Sequence, residues 1–363
     1  MVWLRRVHLV PLAALALAAG LPAAATAAPA AAATTTTYTI TNLGSLGSGG
    51  TQPAAINASG QVTGFSDTST SVAERCPYPR GTCHFHPQHA FLWSNGTMTD
   101  LGSLVGADGG SSGSAINSSG EVAGVSSTAT KGVGNAVVWT GTKMVDLGAL
   151  APLSSGSSST AGGINDSGQV AGYWEDSTGA DHPFLYSNGT MTSLPEPGYA
   201  TAQGATGCTA GDINNNGQIL GGCKDASGTH HTVLWQNGTV TTVNTLGSLQ
   251  DIFAFAINNN GQIIGQGTTS TGATVYFLDS NGTVTNLGSF DPLFGINDNG
   301  VMIGCNGSGS CTLIDSGGTV QDLNNLIPAN SGYDLEIAFA INDNGQVVAT
   351  ANSSEAAVLL TPN

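Results

Sequence analysis

The sequence predicts an all-β chain built as a ring of small sheets, and three observations carry that expectation. First, a hairpin of the form Ile-Asn-x-x-Gly recurs seven times: AINASGQVTG from Ala55, AINSSGEVAG from Ala115, GINDSGQVAG from Gly163, DINNNGQILG from Asp212, AINNNGQIIG from Ala256, GINDNGVMIG from Gly295 and AINDNGQVV from Ala340. Second, another hairpin alternates with it, turning at Ser94-Asn95-Gly96, Ser187-Asn188-Gly189, Gln236-Asn237-Gly238 and Ser280-Asn281-Gly282, with Thr140-Gly141 and Ser316-Gly317-Gly318 as variants. Third, the two ends of the chain carry complementary fragments of the same unit.

The first hairpin places Asn at the opening of the turn and Gly three residues later. That spacing suits a type I turn closing on a left-handed glycine that makes a bulge. In the second, Asn-Gly is the strongest short signal for a tight hairpin. One unit is then four strands: an aromatic strand such as FLW, a Thr-rich strand such as TMTDLG, and the two strands flanking the Ile-Asn turn. Gly60 and Gly345 are 285 residues apart across six intervals, about 47 residues each. Four strands at that period predict the blades of a β-propeller rather than a β-helix or a helical solenoid.

Closure follows from the ends. The ordered chain opens at Tyr38 to Leu46, a Thr-rich strand lacking its aromatic partner, and finishes on one spare strand, Ala356 to Pro362. Pairing the two completes a seventh blade and protects an otherwise open edge. The prediction is seven four-stranded blades closed by the N- and C-terminal strands over residues 38–363. The small residues after each Ile-Asn turn are expected to line the central channel, or the reverse order holds.

Composition narrows the function classes. Of 363 residues 52 are glycine, and only 8 % are charged against roughly 25 % in ordinary domains. Residues 1–27 read as a secretory signal peptide: Arg5 and Arg6, an apolar run from Val7 to Leu21, and the small cleavage triplet Ala25-Thr26-Ala27. Cleavage leaves Ala28 first and residues 28–37 as an Ala/Thr-rich linker. It also deepens the formal charge of −16 by two. So acidic a chain does not suit nucleic acid, and no apolar tail predicts a membrane anchor.

Six cysteines in an exported chain predict disulfides, and position suggests the local pairs Cys76–Cys83, Cys208–Cys223 and Cys305–Cys311. The second pair is awkward. A bulged three-residue loop offsets Cys208 from Cys223 by one position and puts them on opposite faces, unless a second bulge restores the register. A thiolate metal site is the competing reading.

Other polar clusters are weighed in the same way. His84, His86 and His89 have the His-x-His-x-x-His spacing of some metal-ligand runs, yet His89 shares its repeat position with His182 and His231 and then simply begins a strand. The DINNNGQIL loop at Asp212 faintly resembles calcium loops but has Leu220 in place of the closing carboxylate. Trp93, Trp139, Tyr186, Trp235 and Phe277 are either a ring of sugar-stacking platforms or packing between sheets. Trp174, with Glu175 and Asp176, falls outside that register and is a candidate ligand contact, against a locally packed loop residue. No GxSxG, HExxH or GxxxxGK motif is present, which speaks against an enzyme.

His89-Ala90-Phe91-Leu92-Trp93, the DLGSL from Asp100 to Leu104 and the AINxxGxVxG hairpin resemble the extracellular HAF repeat family, over nearly all of the chain after residue 37. Later units drift to NAVVW at Asn135, HPFLY at His182, HTVLW at His231 and TVYFL at Thr274. The resemblance implies secretion and a repeat architecture and brings no chemistry with it. The expectation is therefore an extracellular, monomeric binding scaffold without cofactor, engaging polysaccharide or a cell-surface protein through loops such as Ser71 to Gln88, Ser126 to Gly134 and Glu175 to Asp181. The alternatives are an extracellular polysaccharide hydrolase or lyase, with carboxylates gathered at the channel mouth, and a structural envelope or matrix component.

Overall fold

The seven Ile-Asn turns fold by one repeated chemistry. In the first copy the Asn57 N–H donates to the Gln61 carbonyl and the Gly60 N–H to the Asn57 carbonyl. The Asn57 side-chain oxygen accepts from the N–H groups of Ser59 and Gln61. Gly60 has φ +77°, and its six counterparts lie between +72° and +80°, where only glycine is unstrained. The same glycine leaves room for a neighbour: the Gln346 side chain lies against Gly60, and Gln61 against Gly120. The Asn95, Asn188, Asn237 and Asn281 hairpins also form as expected, with both central residues at positive φ.

In this computed structural model the described residues are 36–363, apart from 48, 77–80, 151–157, 244, 289–292, 306–310, 315–318 and 353–355. The signal peptide and nearly all of the linker lie outside them. What is described is strand and turn, with one 3-10 turn at Leu323–Asn325. The first sheet runs Thr51–Ile56, Val62–Asp67, Gln88–Ser94 and Thr97–Asp100 as an antiparallel meander. Between its second and third strands, Val72–Cys76 and Gly81–Phe85 form a separate hairpin. Three further sheets have four strands, and one has five through the added strand Thr245–Leu246. An eight-stranded sheet comprises two such meanders tied by a single parallel bridge, Asp181 to Gly207.

The chain ends meet as expected: Tyr38–Asn42 pairs antiparallel with Ala356–Pro362, Tyr38 opposite Pro362 and Asn42 opposite Val358. The order of strands is the reverse of the channel assignment given first. The strands that enter the Ile-Asn turns, not those that leave, pack against one another from sheet to sheet, with Thr51–Ile56 touching both Ser111–Ile116 and Leu335–Ile341.

Each entering strand carries a bulge two residues before its Ile, as between Pro53 and Ala55 or Ala210 and Asp212. The bulge pushes a carbonyl toward the partner strand, so a Cβ on Gly64 would overlap the Gln52 oxygen and one on Gly124 the Ser112 oxygen. That explains the glycine of Val-x-Gly. Between sheets, the aromatic series is core: Trp139, Trp235 and Phe277 are buried, Trp93 nearly so and Tyr186 partly. Each fully buried ring contributes on the order of 2–3 kcal/mol.

Candidate functional site

The seven Asn side chains form a closed cycle. Each Nδ2 donates to the backbone oxygen of the next Asn: Asn57 to Asn117, Asn117 to Asn165, Asn165 to Asn214, Asn214 to Asn258, Asn258 to Asn297, Asn297 to Asn342, and Asn342 back to Asn57, at 2.9–3.2 Å. All seven are buried. In six copies a Gln or Glu four residues on, such as Gln61 or Glu121, accepts the remaining Nδ2 hydrogen; Val301 fills that place in the copy from Gly295.

Above this cycle opens a cavity of about 220 Å³, walled by the Ile-Asn-x tripeptides of all seven turns. The residue after each Asn makes a second, incomplete cycle. Backbone N–H groups of Ser118, Asp166, Asn215, Asn259 and Asp298 donate to side-chain oxygens of Asp166, Asn215, Asn259, Asp298 and Asp343 in turn. Asp166, Asp298 and Asp343 thus bring three carboxylates to the mouth. Burial pushes the Asp166 carboxyl up, but hydrogen bonds from Ser118 and Asn215 outweigh it and hold the pKa below the ordinary carboxylate value.

Asp212 stands where the other copies have Ala or Gly. Its carboxylate accepts from the Ile213 N–H at 2.8 Å and from the Ile257 N–H of the adjoining sheet at 3.0 Å. Burial pushes its pKa up despite both bonds. It bridges two entering strands, and this use of Asp212 differs from a calcium loop, whose first carboxylate would face the ion.

The histidine run is split. His89 is buried with both ring nitrogens engaged, Nδ1 with Asp100 at 2.8 Å and Nε2 with the Gly109 carbonyl at 3.0 Å. His84, on the added hairpin, contacts the Ser71 hydroxyl, and His86, just past it, the Thr70 carbonyl; both are exposed. Among the described residues no group of three or more His, Cys, Asp or Glu is arranged to hold a metal ion. His89 is thus held between Asp100 and the Gly109 carbonyl, while His84 and His86 are exposed.

Trp174 and its neighbours are partly exposed and engage residues nearby. Trp174 ends the strand Val170–Glu175, half-buried, with its ring 4.6 Å from that of His182. Asp176 caps its own turn, accepting from Thr178 and Ala180, and meets His182 Nε2 at 3.3 Å, while Glu196 takes Nδ1 at 2.8 Å. Glu175 closes the pairing of this strand with Asp181. Trp174 and Asp176 thus both contact His182 and remain partly exposed. A similar set follows in the next meander, where His231 meets Asp225 and its ring lies tilted against that of Tyr199 at 4.5 Å. Beside it, His230 lies over Gly222 and against the exposed Phe253; burial, then Lys224 and His231, push its pKa down to about 4.

Of the three cysteine pairs, Cys208–Cys223 is a disulfide, with Cα atoms 4.0 Å apart. The bulge between Ala210 and Asp212 supplies the second offset that its register needed, setting Cys208 opposite Cys223. Cys305 and Cys311 are opposite one another too, and both are buried. The side chains of Cys76 and Cys83 lie outside the described residues.

The mouth escaped the sequence reading because each Asn was assigned to turn chemistry. The signal was the identical residue in every copy, where a turn alone tolerates Asp or Ser.

No protein-family model and no curated protein sequence matches the chain. Solved structures do. The structure of YCF48 bound to D1 peptide is similar at 11 % identity and TM-score 0.51, covering 92 % of this chain and 99 % of that one. TolB from Acinetobacter baumannii aligns at 10 % identity and TM-score 0.42 over 84 % of this chain, which spans 63 % of that protein's length. The β-propeller domain of the Trilobed protease from Pyrococcus furiosus aligns at 9 % identity and TM-score 0.35, over 75 % and 94 % of the two chains. At 11 % identity the likeness to the YCF48 structure is one of fold. The chain is an all-β protein of β-propeller type.

Proposed function

We propose that the chain is a seven-bladed propeller, closed on itself, that serves as an extracellular binding scaffold of the HAF repeat kind, with its ligand at the mouth of the Asn cycle. The observation that carries this reading is the 220 Å³ cavity with polar groups from all seven turns. A closed cycle of buried hydrogen bonds makes such a mouth rigid, and a preformed polar concavity loses little entropy on binding. The ligand is a protein or polysaccharide of the cell surface, met by a monomer without cofactor. A binding screen of the chain against cell-surface proteins and polysaccharides tests it. Saturable binding lost on Asn165→Asp or Asp298→Ala at the mouth supports the reading, and binding indifferent to both overturns the location.

A second reading, a hydrolase or lyase on polysaccharide, has one observation in its favour: the raised Asp212 carboxyl sits beside Ile213 and Ile257, which wall the cavity where Asp166, Asp298 and Asp343 open. Two carboxyls with pKa values pushed apart are the pattern of acid and base. Product release from polysaccharides, abolished by Asp212→Asn, would move the assignment to this reading.

A further inference from the structure

The second cycle at the mouth has a gap with a defined shape. Five of its seven steps are closed, and the two open steps adjoin, at the N–H groups of Asp343 and Ala58. They are open for a chemical reason. Asp343 faces Ala58, which has no side-chain acceptor, and Ala58 faces Ser118, whose side chain is shorter than the Asp or Asn used elsewhere. Ala58, Ser118 and Asp343 are exposed and wall the cavity.

A closed step shows what would fit. At Asp166 the backbone N–H donates to Asn215 Oδ1 at 2.9 Å, and Asn215 Nδ2 returns a bond to Asp166 Oδ2 at 2.8 Å. Asp166 Oδ1 meanwhile accepts from Ser118 N–H. Asp343 repeats half of that arrangement: its Oδ1 accepts from the Asp298 N–H at 2.7 Å, while the pair of bonds that Asp166 makes with Asn215 has no counterpart at Asp343, because Ala58 stands next in the cycle. One primary carboxamide placed there would do to Asp343 what Asn215 does to Asp166.

We propose that this gap is a recognition site for the side-chain carboxamide of an Asn or Gln on a loop of a partner protein. The proposal rests on the binding-scaffold reading and names its ligand chemistry. Charge decides against a carboxylate ligand, which would meet Asp343 and stand near Asp298 and Asp166. A primary amide is favoured over an acetamido group because its NH₂ supplies the donor that Oδ2 needs, as Asn215 does.

The test uses the full chain and blocked tripeptides. On titration with acetyl-Gly-Asn-Gly-N-methylamide, whose only primary carboxamide is the Asn side chain, the backbone amide resonances of Ala58 and Asp343 should shift saturably, and the Asp and Ala analogues should bind at least tenfold more weakly at neutral pH. Ala58→Asn, which supplies the missing side chain from within, should weaken peptide binding tenfold or more while raising Tm; Ser118→Asn closes the other step as a second variant. The proposal is overturned if those resonances stay still, if Ala58→Asn binds the peptide as before, or if an N-acetylated oligosaccharide and not the peptide moves them. A protein or polysaccharide ligand bound elsewhere on the chain, unaffected by Ala58→Asn, would sink this site and leave the scaffold reading intact. Absence of any ligand would sink both.

Discussion

The side-chain amide of Asn342 donates to the backbone oxygen of Asn57 across 285 residues of sequence, at 2.9 Å. With the strand pairing of Tyr38–Asn42 and Ala356–Pro362 it joins the last turn to the first. Both contacts join segments remote in sequence, so they reward completion of the whole chain. Loop closure over such a distance costs entropy that grows only slowly with length.

The Asn cycle is therefore expected to matter more than any exposed turn contact. Asn342→Ala removes the buried bond to the Asn57 carbonyl, which keeps only the Gly60 N–H, and takes the acceptor from the part-buried Asn344 and Gln346 N–H groups; it should cost about 2–3 kcal/mol. Asn344→Ala removes an exposed bond to the Ala58 carbonyl and should cost about 0.5–1 kcal/mol. Urea unfolding of both variants checks the ranking, and equal small losses would show that the cycle does not hold the fold.

Removing Ala356 to Asn363 tests closure directly. The strand from Ala356 lies between Val347–Ala351 and Tyr38–Asn42, and it buries Val358, Leu359 and Leu360. Each of those side chains contributes about 1.5–3 kcal/mol. A truncated chain with nearly unchanged Tm would refute closure through the termini; a loss of tens of degrees is expected.

The disulfide is a further lever. Cys208 and Cys223 are 15 residues apart, and closing a loop of that size stabilises by roughly 3 kcal/mol in the chain-entropy account. Cys208→Ser with Cys223→Ser should lower the urea midpoint accordingly, and a reductant should reproduce the shift in the parent chain but not in the variant.

His182 supplies a pH signature. Burial pushes its pKa down, but Glu196 and Asp176 together outweigh it and hold the folded value above the ordinary one. A raised folded pKa means that the stabilisation is complete below about pH 6.5 and is lost as pH rises through the raised value. Stability of the parent minus that of His182→Gln should shrink from about pH 6 to about pH 9. A difference that grew with pH would contradict the pairing.

Much of this fold was legible because its determinants are local and repeated. The Asn-Gly hairpins, the left-handed glycines and the complementary chain ends each follow from a few adjacent residues. The site was less legible because its contacts join residues about a unit apart. Ala58 reads as nothing special until Asn215 is seen doing, in its own copy, what Ala58 cannot. Trp174 is obscure for a related reason: it lies outside the aromatic register, and its contact with His182 comes from the neighbouring strand. Register across a bulge was the other obscure quantity, settling Cys208 against Cys223 where sequence counting separated them.

Asp212 offers the sharpest electrostatic test, since the copies from Ala55, Ala115, Ala256 and Ala340 fold with a methyl group in its place. Its folded pKa is raised by burial, so the folded chain holds the proton more tightly than the unfolded one. That stabilisation is present below the unfolded value of about 3.9 and is lost as pH rises through the folded value. Asp212→Asn keeps an acceptor for one of the two N–H groups and carries no charge. Its stability should therefore gain on the parent's as pH rises from about 4 to about 7, measured by urea unfolding at matched ionic strength. A difference independent of pH would mean that the carboxylate between Ile213 and Ile257 is as well solvated as one at the surface, and would remove Asp212 from any acid–base role at the mouth.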